Sequence, residues 1–264
     1  MKPENKVIWI TGASAGIGEA LAYEFNKKGN ILILSARREK ELERVKRNCI
    51  NGEEAVKIVP LDLTKPETFR AAAEEAREFK GRIDILVNNG GVSQRALAAE
   101  ATMESVRRVM EINFFGTAGI TKEVLPEMIE RKSGHIVVIS SVMGKIGTRY
   151  RSAYAASKHA LHGWFDCLRQ EMHEYNVGVT LVCPGFIKTD VSKNALTADG
   201  SKFNQMGNAH EKAMDPSELA EKLVARLGKG RDEIYIGGKE ILSIYLKRFF
   251  PRVLNKVLLR TKVT

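Results

Sequence analysis

The feature that most constrains this chain is its rhythm. Short runs rich in β-branched residues, at 7–11, 31–35, 55–60, 83–88, 135–140, 177–183 and 233–236, alternate with longer amphipathic stretches at 16–28, 39–48, 66–79, 103–131, 153–175 and 216–227. Unbroken apolar runs such as Ile31-Leu32-Ile33-Leu34 suit strands covered on both faces. The alternation, with no Pro/Gly/Ser-rich linker to interrupt it, predicts an α/β fold. The expected form is a single domain on a doubly wound, Rossmann-like parallel sheet of about seven strands, with helices on both faces and right-handed crossovers. A length of 264 residues, 44% of them hydrophobic, is ample for one such domain.

Composition excludes several classes. No apolar run nears the roughly 18 residues of a membrane span. The run at 7–11 is too short for a secretory leader and ends in a turn, so no leader is expected. Cys49, Cys167 and Cys183 are too widely spaced for a disulfide framework or a metal site, which suggests a reducing, cytoplasmic setting. Of the net charge of +10, six positive charges (Lys247, Arg248, Arg252, Lys256, Arg260, Lys262) lie in 243–264, where no acidic residue occurs. The remainder is only +4, so the charge belongs to a tail and nucleic-acid binding is not expected. The chain therefore divides into a body, 1–236, and a basic amphipathic extension, 237–264. In the extension Val253, Leu254, Val257 and Leu258 form an apolar row beside Arg252, Lys256 and Arg260. Such a helix could meet an anionic membrane surface, its own body or a neighbouring subunit.

Two segments point to a dinucleotide. The first strand runs into Thr11-Gly12-Ala13-Ser14-Ala15-Gly16-Ile17-Gly18 and then a helical pattern. Glycines allow a sharp turn and close approach of a ligand, and the helix N-terminus offers free N–H groups to a pyrophosphate. The second strand ends in Ser35-Ala36-Arg37-Arg38, where an acidic residue would grip an unmodified ribose. Arginines there suit a 2′-phosphate, so NADP(H) is expected over NAD(H).

A third segment carries the reaction. Tyr154 and Lys158 are i, i+4 neighbours on a helical pattern, where an ammonium and a cationic nicotinamide would favour the phenolate. Tyr154 is then fit to give or take a proton. Ser141 follows the strand at 135–140, at the carboxyl edge where open sheets bind ligands, and its hydroxyl could hold the substrate oxygen. Its neighbour Ser140 reads as a packing residue. The five histidines show no ligand spacing, and no metal is expected.

With these pieces in order, the sequence resembles the short-chain dehydrogenases/reductases. The resemblance covers about residues 5–237. It rests on Thr11-Gly12-x3-Gly16-x-Gly18, Asp62-Leu63, Asn88-Asn89-Gly90-Gly91, Asn113, Ser141, Tyr154-x3-Lys158 and Pro184-Gly185-x3-Thr189. It implies Tyr154 as acid/base, Ser141 as ligand of the substrate oxygen, Lys158 as the cation that tunes the tyrosine and holds the nicotinamide ribose, and Asn113 as the positioner of a relay water. It further implies a cofactor track along Gly12, Ser14, Ala15, Gly16, Ile17, Gly18, Arg37, Arg38, Asp62, Leu63, Asn88, Gly90, Tyr154, Lys158, Pro184, Gly185, Ile187 and Thr189. Within it Asp62 would meet the adenine amino group, Asn88 the adenosine ribose and Thr189 the nicotinamide carboxamide. The sequence departs from the family at Gly90, where alanine is usual, and at Ala15, where many NADP-preferring members have a basic residue. The stretch 191–203 and the extended tail are similar to the dehydrogenase/reductase member 7 branch.

The expected activity is therefore interconversion of a carbonyl and an alcohol by hydride transfer, on a small and mostly apolar substrate. A lid would lie at about 186–215, where glycine, polar and apolar residues mix. The long helices at 103–131 and 153–175 resemble the faces through which family members form homodimers and homotetramers. The competing reading is a non-catalytic NADP-binding redox sensor or scaffold on the same fold.

Overall fold

Seven strands pair in parallel in the order β3-β2-β1-β4-β5-β6-β7. They are β1 (Val7–Thr11), β2 (Ile31–Ser35), β3 (Val56–Ile58), β4 (Ile85–Asn88), β5 (Gly134–Ile139), β6 (Val177–Pro184) and β7 (Glu233–Ile236). The structure is a computed structural model and describes residues 3–204 and 213–260. Strand order reverses between β1 and β4, where Ile8, Trp9 and Ile10 pair with Ile85, Leu86 and Val87. Beyond the carboxyl ends of these two strands a crevice must open, because the chain leaves them in opposite directions.

Side chains alternate along each strand and feed two cores. On one face Trp9, Ile33, Leu86 and Ile136 meet Phe69, Ala72 and Ala76 of α3 (Phe69–Glu78), Ile120 and Val124 of α5 (Gly116–Glu130), and Leu161 and Phe165 of α6 (Ser152–Glu171). On the other Ile8, Ile10, Leu32, Leu34 and Val87 meet Leu21 and Phe25 of α1 (Gly16–Lys27), Leu42 and Val45 of α2 (Glu39–Arg47), and Leu219 and Leu223 of α7 (Pro216–Val224). Burial of both sheet faces is why the strands read as continuous apolar runs.

Two expectations are corrected. The run at 55–60 contributes only the short edge strand β3, preceded by a 3-10 turn at Glu53–Ala55. The helix expected over 103–131 is α4 (Met103–Met110) joined to α5 through a π turn at Glu111–Phe115. A π turn inserts a residue into the helical ladder, which hydrophobic periodicity does not register. The tail holds two helices, α8 (Leu242–Phe249) and α9 (Pro251–Arg260), separated where Phe250 leaves helical geometry ahead of Pro251, and α9 carries the row of Val253, Leu254, Val257 and Leu258.

The tail docks on its own body through one side. Ile244 and Leu254 are buried against Val142 and Ile146, which follow Ser141 in sequence. Its other side stays open. Phe249, Phe250 and Leu259 are 68%, 62% and 82% exposed, beside Lys247, Arg248, Arg252, Lys256 and Arg260. Among the described residues no helix is long and apolar enough to cross a membrane. Of the expected lid, 205–212 lie outside the described residues, as do 261–264 of the tail.

Candidate active site

The crevice encloses about 460 Å³ along the carboxyl ends of β1, β2, β4, β5 and β6. Its glycine end begins at Gly12 and Gly16, whose φ values of +66 and +58 lie in the left-handed region that favours glycine. A Cβ on Gly18 would collide with the Gly12 carbonyl oxygen and the Asn89 amide, so this glycine serves the packing of the turn. Asn89 ties the turn to β4, donating to the carbonyl oxygens of Thr11 and Gly12, both at 3.1 Å. The N-terminus of α1 has no side-chain cap. Its open N–H groups and positive dipole end therefore stand beside the crevice, where Ser14, Ala15, Gly16 and Ile17 are lining residues.

Arg37 and Arg38 are exposed at the crevice wall, and neither forms an ion pair among the described residues. Arg38 Nη2 donates to Ser14 Oγ at 3.1 Å, joining the β2 end to the glycine turn. Asp62 and Leu63 lie on the same wall, with Asp62 Oδ1 accepting from the Thr64 N–H at 3.0 Å.

At the other end stand Ser141, Tyr154 and Lys158. Ser141 Oγ accepts the Met143 N–H at 3.1 Å, which aims the oxygen and leaves its proton free to donate. Lys158 Nζ donates to the Ile139 carbonyl at 2.8 Å and lies 5.8 Å from the Tyr154 ring centroid. Burial pushes the Lys158 ammonium down to about 8. Burial also pushes the Tyr154 phenol above its ordinary value, with Ser141 and then Arg151 pulling it back. Pro184, Gly185, Ile187 and Thr189 complete this end. Here Glu240, at the start of the tail, accepts the Phe186 N–H at 2.9 Å and packs against Gly185.

Three of the expected residues do not line the crevice: Gly18, which packs the turn, Asn88 and Asn113. Asn88 is buried at the end of β4 and donates to Thr121 Oγ1 at 2.8 Å, and Asn89 lines the crevice in its place. Asn113, expected to position a relay water, is 0% exposed and works as a brace. Its Oδ1 accepts the Val92 N–H (2.8 Å), and its Nδ2 donates to the Val92 carbonyl (2.9 Å) and to Ser157 Oγ (2.9 Å). Both amide hydrogens are thus used by protein, and the π turn is what brings this side chain to Val92 and α6. Asn89, Ser157 and Glu240 join the site without having been among the expected residues. Asn89 stood in plain view beside Asn88, whereas Glu240 reaches Phe186 across 54 positions with no local signal.

Ser140 borders the crevice beside Ser141 but is buried, with its Oγ 3.0 Å from His162 Nε2. The fold also gathers His162, Asp166 and Glu233, with ligand-type atoms within 4.8 Å of one another. Lys145 already supplies the cation beside Glu233, at 2.5 Å.

This arrangement has known counterparts. The sequence model described as "short chain dehydrogenase" matches residues 6–200. The chain belongs to the short-chain dehydrogenase family. It is an oxidoreductase acting on carbonyl and alcohol groups, and it resembles the dehydrogenase/reductase member 7 branch. Mouse dehydrogenase/reductase SDR family member 7B is 38% identical over 259 residues, covering 96% of this chain and 80% of that one. Human member 7 is 41% identical over 253 residues, covering 94% and 75%. Among solved structures, a short chain dehydrogenase from Burkholderia cenocepacia in complex with NADP is 25% identical, with a TM-score of 0.82 over 99% of this chain and 100% of that one.

Proposed function

We propose that this enzyme interconverts a carbonyl and an alcohol using NADP(H), with Tyr154 as acid/base, Ser141 holding the substrate oxygen and Lys158 supplying positive charge beside the tyrosine. One observation carries the reading. A single crevice has uncapped helical N–H groups and two arginines without an ion pair among the described residues at one end, and a serine, a phenol and an ammonium at the other. These donors fit a dinucleotide bearing a 2′-phosphate. The α1 N-terminus and Ser14 would hold the pyrophosphate, Arg37 and Arg38 the 2′-phosphate, Asp62 and Leu63 the adenine. Gly90 would border the ribose, and Ile187, Thr189 and Lys158 the nicotinamide half. When bound, the cofactor supplies or accepts the hydride.

The protein's own groups do the rest. In reduction the Ser141 O–H donates to the carbonyl oxygen, stabilising the charge that develops there, and Tyr154 delivers its proton to that oxygen. In oxidation Tyr154 takes the proton back. Asn113 holds the β4 loop and α6 in register, which keeps Val92 and Tyr154 in place on the crevice wall.

The arginines give the cofactor reading a direct test. Arg37→Ala with Arg38→Ala should weaken NADP+ binding by roughly tenfold or more, the worth of one charge-assisted hydrogen bond, and leave NAD+ binding nearly unchanged. Titration calorimetry with both dinucleotides reads this out. Equal losses for the two would refute the 2′-phosphate assignment.

The open side of the tail favours a second property, contact with an anionic lipid surface. Exposed Phe249, Phe250 and Leu259 alternate with basic residues and no acidic ones from 243 to 260. Each basic residue near an anionic membrane contributes about 1 kcal/mol. Lys247→Glu with Arg248→Glu and Lys256→Glu should therefore abolish co-sedimentation with phosphatidylserine vesicles at low salt. A wild-type protein that never co-sediments with them overturns the idea.

A further inference from the structure

The tail sends one carboxylate back into the site. Glu240 lies in the 3-10 turn Lys239–Ile241 that leads from β7 into α8, and it forms no ion pair among the described residues. Its Oε1 accepts two backbone N–H groups, those of Gly238 and Phe186, each at 2.9 Å. The first bond is local, and the second crosses 54 positions to the loop that follows β6. Glycines make room for the carboxylate. A Cβ on Gly185 would collide with Oε1, and one on Gly237 would come within 2.7 Å of the same atom. Neither glycine has a positive φ, so close approach of Glu240, and not backbone conformation, is what calls for glycine there.

The loop held in this way forms one wall of the crevice. Pro184, Gly185, Ile187 and Thr189 line it. Phe186 is 46% exposed, so its side chain does little to fix the loop and its backbone must do so. That backbone is held twice, by Glu240 at the N–H and by the Met214 N–H, which donates to the Phe186 carbonyl at 3.0 Å. Further along, Thr189 reaches the glycine turn, where a Cβ on Gly16 would meet its methyl group at 3.0 Å. The Glu240 turn is itself anchored. Ser243 donates its hydroxyl to the Glu240 carbonyl, and Ile244 of α8 is buried against Val142 and Ile146.

We propose that Glu240 is a positioning residue for the cofactor, its carboxylate pinning the loop after β6 in the shape that receives the nicotinamide half. A carboxylate that accepts from backbone N–H makes a charge-assisted bond, stronger than a neutral one. Without it the loop has to be ordered as the dinucleotide binds, and that ordering lowers affinity. This inference rests on the dinucleotide reading, in which Ile187 and Thr189 border the nicotinamide.

The test compares two ligands by titration calorimetry: NADP+, and 2′,5′-ADP, which keeps the adenosine and its 2′-phosphate but has no nicotinamide. Glu240→Ala should weaken NADP+ binding about tenfold, the scale of one charge-assisted hydrogen bond, and leave 2′,5′-ADP within about twofold of wild type. Glu240→Gln keeps an oxygen acceptor on a side chain of the same length and should stay near wild type with both ligands. Should the alanine variant fail to fold, Glu240→Met keeps the length, removes the acceptor and serves instead. A folded variant without the acceptor that binds NADP+ as wild type does, or that loses both ligands equally, overturns the proposal, because a merely structural role would lower melting temperature without separating the two. A wild-type protein that bound neither ligand would remove the dinucleotide reading and the proposal with it, so that failure is told apart from failure of the proposal alone.

Discussion

Replacing Tyr154 with phenylalanine should reduce turnover by about 10²–10⁴-fold, the usual worth of a positioned acid/base. NADP+ binding should survive, because the cofactor's proposed contacts lie mostly on α1, on the β2 end and on the loop after β6. The substitution removes one oxygen from a ring that is otherwise kept, so the cavity cost is small. Steady-state rates on a panel of aldehydes and ketones, with calorimetry for the dinucleotide, separate chemistry from binding. Undiminished rates would contradict the assignment. The pH dependence has a definite sign. Burial raises the phenol in the free protein, so the phenolate needed for alcohol oxidation gains with rising pH, while the protonated form needed for carbonyl reduction is lost.

Asn113→Ala should be the most damaging substitution for stability. Its amide makes three hydrogen bonds at 2.8–2.9 Å in a fully buried position. Truncation leaves the Val92 N–H without its acceptor and the Val92 carbonyl and Ser157 without their donor. The expected loss is on the order of 3 kcal/mol, allowing about 1 kcal/mol for each broken bond. In a protein of this size that lowers the melting temperature by about 6–12 °C. Activity should fall with it, because the same bonds join the β4 loop to the helix that carries Tyr154. A variant that melts with wild type would show that the brace carries no energy. Asn113→Asp is the informative companion. It keeps the acceptor for Val92 but loses both donors, and it should fall between alanine and wild type.

Much of the fold was legible because burial on both faces leaves a local signature. The β2 and β7 boundaries coincide with the expected runs 31–35 and 233–236, and the glycine turn announced itself through residues that only a tight, ligand-facing bend requires. The π turn was not legible, since Glu111–Phe115 reads as ordinary amphipathic helix and only the contacts of Asn113 with Val92 and Ser157 explain it. The short β3 was missed for a related reason. Val59 and Leu61 are buried and still donate backbone hydrogen bonds to Leu34 and Ala36 past the end of β3, so the local signal outruns the regular strand.

Sequence by itself determined the doubly wound sheet, and it singled out the serine, tyrosine and lysine that the fold brings into one crevice, because each depends on spacing within a few residues. Tertiary structure decided which asparagine lines the crevice, that Asn113 is bonded to Val92 and Ser157, and that one side of the tail docks while the other stays open. Those outcomes hang on pairs brought together from distant parts of the chain, such as Phe186 with Glu240 and Asn113 with Val92. Hydrogen bonds and charges act through distance in space, and a linear pattern encodes that distance only where the chain itself is regular.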